Sequence, residues 1–228
     1  MRKLKLIGLA ALAVLAVSAV SASAASAAEG TAVVTGAGGF TAAQVGTHTF
    51  TLPGGRTLSC VNATFSGTVA NEAKTVTATP SYTNCSAKVG ETVLPATVEV
   101  TECTYSFSDL TTTAANTYAA KTNVVCPGET AIHIKLYSSH TTHTAGTRLC
   151  EYTVKPQLTG AGVHFTVSKT IVEEKEVKDV NITATKVAVS LTRTFGTAGN
   201  CGEATSNSEY NGNTLLTPAV GTTITIDD

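Results

Sequence analysis

Residues 57–85 read TLSCVNATFSGTVANEAKTVTATPSYTNC, with cysteines at 60 and 85 and the turn-forming Asn71-Glu72-Ala73-Lys74 between them. Folded as an antiparallel hairpin on that turn, with Ala70 facing Thr75, the ribbon pairs residues whose numbers sum to 145. One face then holds Val61, Ala63, Phe65 and Val69 opposite Asn84, Tyr82, Pro80 and Val76. The other holds Asn62, Thr64, Ser66 and Thr68 opposite Thr83, Ser81, Thr79 and Thr77. A slip of one residue would set Phe65 and Val69 against threonines and spoil both faces, so the pattern selects its register. In that register Cys60 lies opposite Cys85, on the polar face. The two thiols read as a cross-strand staple rather than a redox or catalytic pair; closing a loop of about 25 residues is worth roughly 3.5 kcal/mol on the chain-entropy model.

The chain has six cysteines, at 60, 85, 103, 126, 150 and 201, an even set that suggests three disulfides although six thiols permit fifteen pairings. No Cys-x-x-Cys occurs, which removes the commonest redox and zinc spacings. Proximity and strand order pair Cys103 with Cys126, and elimination leaves Cys150 with Cys201.

The same strand grammar continues along the chain. Ala96 to Ser108 alternates with a change of phase near Thr101-Glu102, as a β-bulge would give. Strands are predicted at Tyr118–Cys126, Ala131–Tyr137 with Ile132, Ile134 and Leu136 inward, Leu149–Val154, and Gly162–Ser168 with Val163, Phe165 and Val167 inward. Val180 to Phe195 changes phase near Thr185-Lys186, so it is one bent strand or two. Leu215-Leu216 and Thr222–Ile226 close the series. Threonine and valine dominate these segments, as suits pleated, half-buried surfaces. Glu173-Glu174-Lys175-Glu176 reads as a solvated turn. The fold class is therefore all-β: an antiparallel β-sandwich, or a barrel-like variant, with three disulfides.

The N-terminus reads as a secretory signal over residues 1–27. Arg2, Lys3 and Lys5 form its basic region, Leu6 to Val20 its apolar region, and Ala25-Ser26-Ala27 its cleavage site. About fifteen apolar residues fall short of the roughly twenty that span a bilayer, and the first cysteine is Cys60, so a released product without a membrane anchor is expected. Residues 28–45 are Gly/Ala-rich and read as a loose lead-in with one short strand; residues 46–228 form the antiparallel β domain. Without the signal, twelve basic residues face sixteen acids, a net charge of −4. That balance offers nothing to a phosphate backbone, so nucleic acid is not an expected partner.

The segments LSCVNATFSGTV, SYTNC, VEVTECTYSF, NVVCPG, AIHIKLY and LCEYTVKPQL, together with the composition, resemble uncharacterised exported Cys/Thr-rich all-β proteins of high-GC Gram-positive bacteria. The resemblance covers most of the mature chain. It implies export and β-architecture, and it carries no activity with it.

Histidine is the leading chemical candidate. His133 points outward between Ile132 and Ile134, and the following loop SSHTTHTAG supplies His140 and His143; three imidazoles on one hairpin are a zinc or copper ligand set if they converge. Solvated, separate histidines are the preferred reading, because the loop offers no evident groups to orient the rings. His48 and His164 read as isolated. No Gly-x-Ser-x-Gly elbow occurs, the aspartates are only Asp109, Asp179, Asp227 and Asp228, and Glu99 and Glu102 sit on one strand. Catalytic and cofactor-binding residues are therefore unassigned, and no cofactor is expected. The chain has no tryptophan, which leaves Tyr137 and Tyr210, the latter in the turn-like SNSEYNGN, as surface platforms for a sugar ring. The expected function is a secreted, non-enzymatic structural or adhesive binding protein with an extracellular or cell-surface ligand. The alternatives are a metal-binding module on the 133–143 hairpin, or a hydrolase with an unrecognised site.

Overall fold

A computed structural model describes residues 32–138, 147–172 and 175–227; residues 1–27, expected from the sequence to be a signal, and His140 and His143 lie outside them. In chain order the strands are β1 (Val33–Thr35), β2 (Gly38–Gln44), β3 (His48–Leu52), β4 (Arg56–Val69), β5 (Thr75–Val89), β6 (Thr92–Val100), β7 (Thr104–Ala114), β8 (Thr117–Val125), β9 (Ile132–Tyr137), β10 (Arg148–Val154), β11 (Gln157–Val172) and β12 (Lys175–Phe195). A one-turn helix α1 (Ala198–Cys201), β13 (Thr205–Pro218) and β14 (Thr225–Asp227) follow.

The β4–β5 ladder runs from Thr57↔Lys88 to Ser66↔Thr79 in the register set by the side-chain pattern, with Cys60 opposite Cys85 and the two joined by a disulfide. The faces differ from expectation. Cys60 and Cys85 are buried, whereas Val61, expected inward, is 64% exposed. Both strands change phase at the same level: inward positions run Leu58, Cys60, then Ala63 on β4, and Tyr82, then Cys85, Ala87 on β5. Asn84 makes the switch on β5 with φ of 53°, a left-handed conformation that asparagine tolerates better than most residues. Because the partners switch together, the register survives while the buried face changes.

The reason for the switch lies in the topology. Following the antiparallel pairings from β5 through β7, β8, β11, β12, β13, β2 and β4 leads back to β5. A second route, from β5 through β6, β9, β10, β12, β13, β3 and β4, also returns to β5. Two closed rings thus share four strands, β4, β5, β12 and β13, each ring using a different half of each. The result is a pair of barrel-like lobes stacked along those strands, in which every described strand of the twelve-stranded sheet has a partner on each side, so that it ends in no edge strand of the kind that invites association. On β12 the inward series changes phase between Ala184 and Val187, at the expected Thr185-Lys186, with Lys186 at φ 49° and its N–H held by Asn211 Oδ1 at 2.8 Å.

Each lobe has its own core. In the first, Phe40, Val76, Phe107, Tyr118, Val163, Phe165, Val167 and Val180 pack together. The second gathers Phe50, Leu52, Leu58, Ile132, Ile134, Leu136, Tyr152 and Leu191 around all three disulfides. Phe65, Tyr105 and Tyr210 touch both. The two-stranded β1–β14 sheet covers the first lobe, with Ile226 O accepting from Tyr118 Oη at 3.1 Å. At the second lobe, α1 is tied down by Cys150–Cys201 and by Tyr152 Oη donating to Cys201 O at 2.6 Å.

Two further expectations are corrected. Residues 28–45 contain two strands rather than a loose lead-in, and Phe40 and Ala42 are buried. Their glycines serve close approach: at Gly36, φ 101°, a Cβ would fall 1.8 Å from the Thr223 carbonyl oxygen. Near Thr101-Glu102 the chain makes no bulge. It breaks there into β6 and β7, with Glu102 at φ 57°, because β6 belongs to one ring and β7 to the other.

The disulfides are Cys60–Cys85, Cys103–Cys126 and Cys150–Cys201, the expected set. They close 25, 23 and 51 residues respectively. Urea unfolding of the three Cys→Ser pair variants is expected to rank Cys150–Cys201 as the largest loss, about 4 kcal/mol against about 3.5 for each of the others. Non-reducing peptide maps that returned any other partner for Cys60 would contradict the β4–β5 register.

Candidate functional site

The strands that serve both lobes bring aromatic side chains to the level where the lobes meet. Phe50 on β3 lies 4.7 Å from Tyr210 on β13, ring centre to ring centre, and 5.6 Å edge-on to Tyr82 on β5. Phe65 on β4 meets Tyr82 edge-on at 6.0 Å and Tyr105 on β7 at 6.2 Å. The edge-on pairs set a positive ring edge against a negative ring face. His48, at the start of β3, packs 5.7 Å from Phe65 and is 2% exposed.

The polar atoms of this layer form one chain. Tyr105 Oη and Tyr82 Oη are 3.0 Å apart, Tyr82 Oη donates to Tyr210 Oη at 3.4 Å, and Tyr210 Oη bonds His48 Nδ1. His48 Nε2 reaches the Asn213 carbonyl at 3.1 Å. A carbonyl only accepts, so Nε2 carries the proton and the neutral ring accepts at Nδ1 from Tyr210. Tyr210 then accepts from Tyr82, and Tyr82 from Tyr105. Every donor in the series has a partner, and the direction is fixed from the histidine end. Burial, the largest cause, holds the His48 pKa below its ordinary 6.5, with the Asn213 bond opposing in part. Burial likewise pushes Tyr105 up to about 12, and raises Tyr82 and Tyr210. The layer is a neutral, protonated network in an apolar setting. Gly212 makes room for it, since a Cβ there would sit 2.5 Å from His48 Nδ1.

Beside this layer lies a cavity of about 80 Å³ that runs from the junction into the first lobe. Its wall is almost wholly apolar, including Phe107, Phe165, Val163, Ile182, Ala184 and Leu216. Polar residues on the wall are few: His48 and Tyr210 at one end, with Tyr105, Thr122, Thr159 and Thr214. The Thr122 hydroxyl is buried without a hydrogen-bond partner.

A second polar group sits on the outside of the other lobe. His133 Nδ1 lies 2.7 Å from Glu151 Oε1, the other Glu151 oxygen accepts from Arg148, and the Arg148 guanidinium stacks 4.2 Å over the Phe195 ring. Lys135 pairs with Glu99 at 2.5 Å on the same face. His133 is thus outward, as expected, and carries a carboxylate partner on the neighbouring strand. Among the described residues no group of three or more His, Cys, Asp or Glu side chains is placed to hold a metal ion.

Of the two tyrosines expected as surface platforms, Tyr137 ends β9 half-buried. Tyr210 is corrected: it lies within β13, inside the aromatic layer, because SNSEYNGN is strand rather than turn. His48 was read as isolated, yet it anchors the polar chain. The signal was present in HTFTL, where His48, Phe50 and Leu52 share the inward phase. His164, on β11, is partly exposed and stands across from Thr183 and Ala119.

Fold and site together define a disulfide-stapled, all-antiparallel double barrel with an internal apolar cavity. No family model, no curated protein and no solved structure matches the chain.

Replacing Tyr210 with Phe leaves His48 Nδ1 buried without its donor and is expected to cost about 1–3 kcal/mol in urea unfolding. Stability also depends on pH through His48. With its folded pKa below the ordinary 6.5, the unfolded chain binds more protons between those two values. This contribution is complete above pH 6.5 and is lost as pH falls from 6.5 toward the lower folded value. Melting curves between pH 7.5 and 5 are expected to show that slope, and His48→Gln to remove its share of it.

Proposed function

We propose that this protein is a secreted, non-enzymatic binding protein that holds a small apolar molecule inside its first lobe. The observation that carries the reading is the cavity beside the aromatic layer. Protein interiors are packed about as tightly as organic crystals, and a void of this size costs on the order of 2 kcal/mol at the penalty per volume measured in protein cores. An apolar occupant recovers that loss without needing charge. A secreted setting is supported by the three disulfides, which persist in oxidising compartments, and by the N-terminal signal pattern. The extracellular ligand expected from the sequence is, on this reading, a molecule taken inside rather than a surface partner.

The reading is tested with toluene as probe. Native-state binding raises the melting temperature with ligand concentration. The rise is expected in the native protein and is expected to vanish in Ala78→Leu, which fills the cavity wall from β5. No rise in the native protein, or an equal rise in both, would contradict interior binding.

One observation favours a second reading. Metal-binding histidines commonly give their other ring nitrogen to a carboxylate, and His133 is oriented this way by Glu151. A metal-binding module on the 133–143 hairpin would use His133 Nε2 with His140 and His143. The solvated reading of that loop predicts no change in melting temperature on zinc titration. A concentration-dependent rise that is lost in the His140→Ala, His143→Ala double variant would establish the module instead.

A further inference from the structure

We propose that the molecule held in the cavity carries one hydrogen-bonding oxygen, a hydroxyl or a carbonyl, seated against the Thr122 hydroxyl. The proposal rests on the reading of the cavity as a binding site and names the chemistry that site selects.

Thr122 lies on the inward face of β8, in phase with Tyr118, Ala120 and Val124, and is 5% exposed. It stands across from Phe107 on β7 and Gly160 on β11. The other polar groups on the wall are already engaged. Thr159 Oγ1 donates to the Thr122 carbonyl at 2.9 Å, Thr214 Oγ1 donates to Ile182 O at 3.4 Å, and His48, Tyr210 and Tyr105 belong to the polar chain. Thr122 Oγ1 alone among these hydroxyls has no partner. Buried polar groups in native proteins are nearly always paired, so an orphan on a cavity wall marks where a partner belongs. Valine has the same shape and would fill the position without that cost, as it does at the neighbouring wall positions Val76, Val163 and Val187.

Size and surroundings narrow the occupant. On the scale on which one water takes roughly 10–15 Å³, the cavity has room for about five to eight heavy atoms. Phe107 and Phe165, edge-on at 5.5 Å, offer an aromatic wall next to Thr122. Tyr105, two residues before Phe107 on the same face of β7, directs its proton to Tyr82 and keeps lone pairs on its oxygen. A compact ring with one oxygen matches all three: ring on the aromatic wall, oxygen accepting from Thr122, and any proton it carries free to donate to a wall oxygen. Phenol is a probe of this class, and toluene is its counterpart of nearly equal shape without the oxygen.

The test measures the dissociation constants of phenol and toluene by titration calorimetry, with disulfides intact, in the native protein and in Thr122→Val and Thr122→Ser. Phenol is expected to weaken by about fivefold to tenfold in Thr122→Val, as loss of one hydrogen bond implies, while toluene stays equal or tightens. Thr122→Ser keeps the hydroxyl and is expected to keep the selectivity for phenol. If toluene binds the native protein but phenol does not, or if Thr122→Val changes both alike, the proposal falls while interior binding stands. If neither compound binds, both fall together.

Discussion

Four strands serve two rings, and that shared use constrains everything else in the molecule. A strand that belongs to one barrel needs one continuous inward face. A strand that passes through two must change its inward series where the rings meet, unless their walls happen to keep the same phase. β4, β5 and β12 make the change; β13 keeps Ser208, Tyr210, Gly212, Thr214 and Leu216 in one series. The left-handed Asn84 and Lys186 are the local conformations that permit the switch. At Lys186 the register also shifts, a bulge of the kind that increases strand twist and re-aims side chains, whereas the β4–β5 register runs through its switch unshifted.

The junction is also where the two cores could have been separated by a polar gap. Aromatic residues fill it instead, since each has an apolar body for the cores and, in tyrosine, a hydroxyl that must be satisfied. Tyr105, Tyr82, Tyr210 and His48 satisfy one another in sequence and end on a backbone carbonyl. Such a network carries no formal charge, so it avoids the desolvation penalty of an ion pair while still specifying which side chains meet. The Glu151 cluster on the other lobe does use charge: Glu151 is buried, and its carboxylate is held by the half-exposed His133 and Arg148 on either oxygen, so the buried charge is paired.

Much of this architecture is legible in the sequence, for physical reasons. The period-2 alternation fixes the β4–β5 register, and cysteine positions corroborate it independently; Ile132, Ile134 and Leu136, and Val163, Phe165 and Val167, are inward as their pattern requires. The faces of the hairpin are not legible, because two partners that switch phase together leave every pairing intact. Tyr210 was hidden by its neighbours. Asn211 and Gly212 look like turn residues, but one holds the backbone of Lys186 and the other clears space for His48, both tasks set by strands distant in sequence. The His133–Glu151 contact is a diagonal across β9 and β10 next to an irregular register, so spacing along the chain gives no sign of it. The cavity arises from the closure of the first ring, and no local pattern encodes a void.

The double closure has a consequence for the time course of folding. Both rings include β12 and β13, so neither can be completed until residues 175–218 have joined strands that begin near residue 38. Partial structures such as the β4–β5 hairpin or the β7–β8 hairpin form from neighbours in sequence, but they present unpaired edges and one apolar face until the late strands arrive. Non-local pairing of this kind makes folding slow and leaves intermediates prone to association. The hairpin disulfides Cys60–Cys85 and Cys103–Cys126 lock local units and suit an early stage. Cys150–Cys201 bridges β10 to the helix between β12 and β13, and so belongs to the final closure. The topology thus favours hairpin bonds first and Cys150–Cys201 last, as the bond whose two ends meet only when the second ring closes.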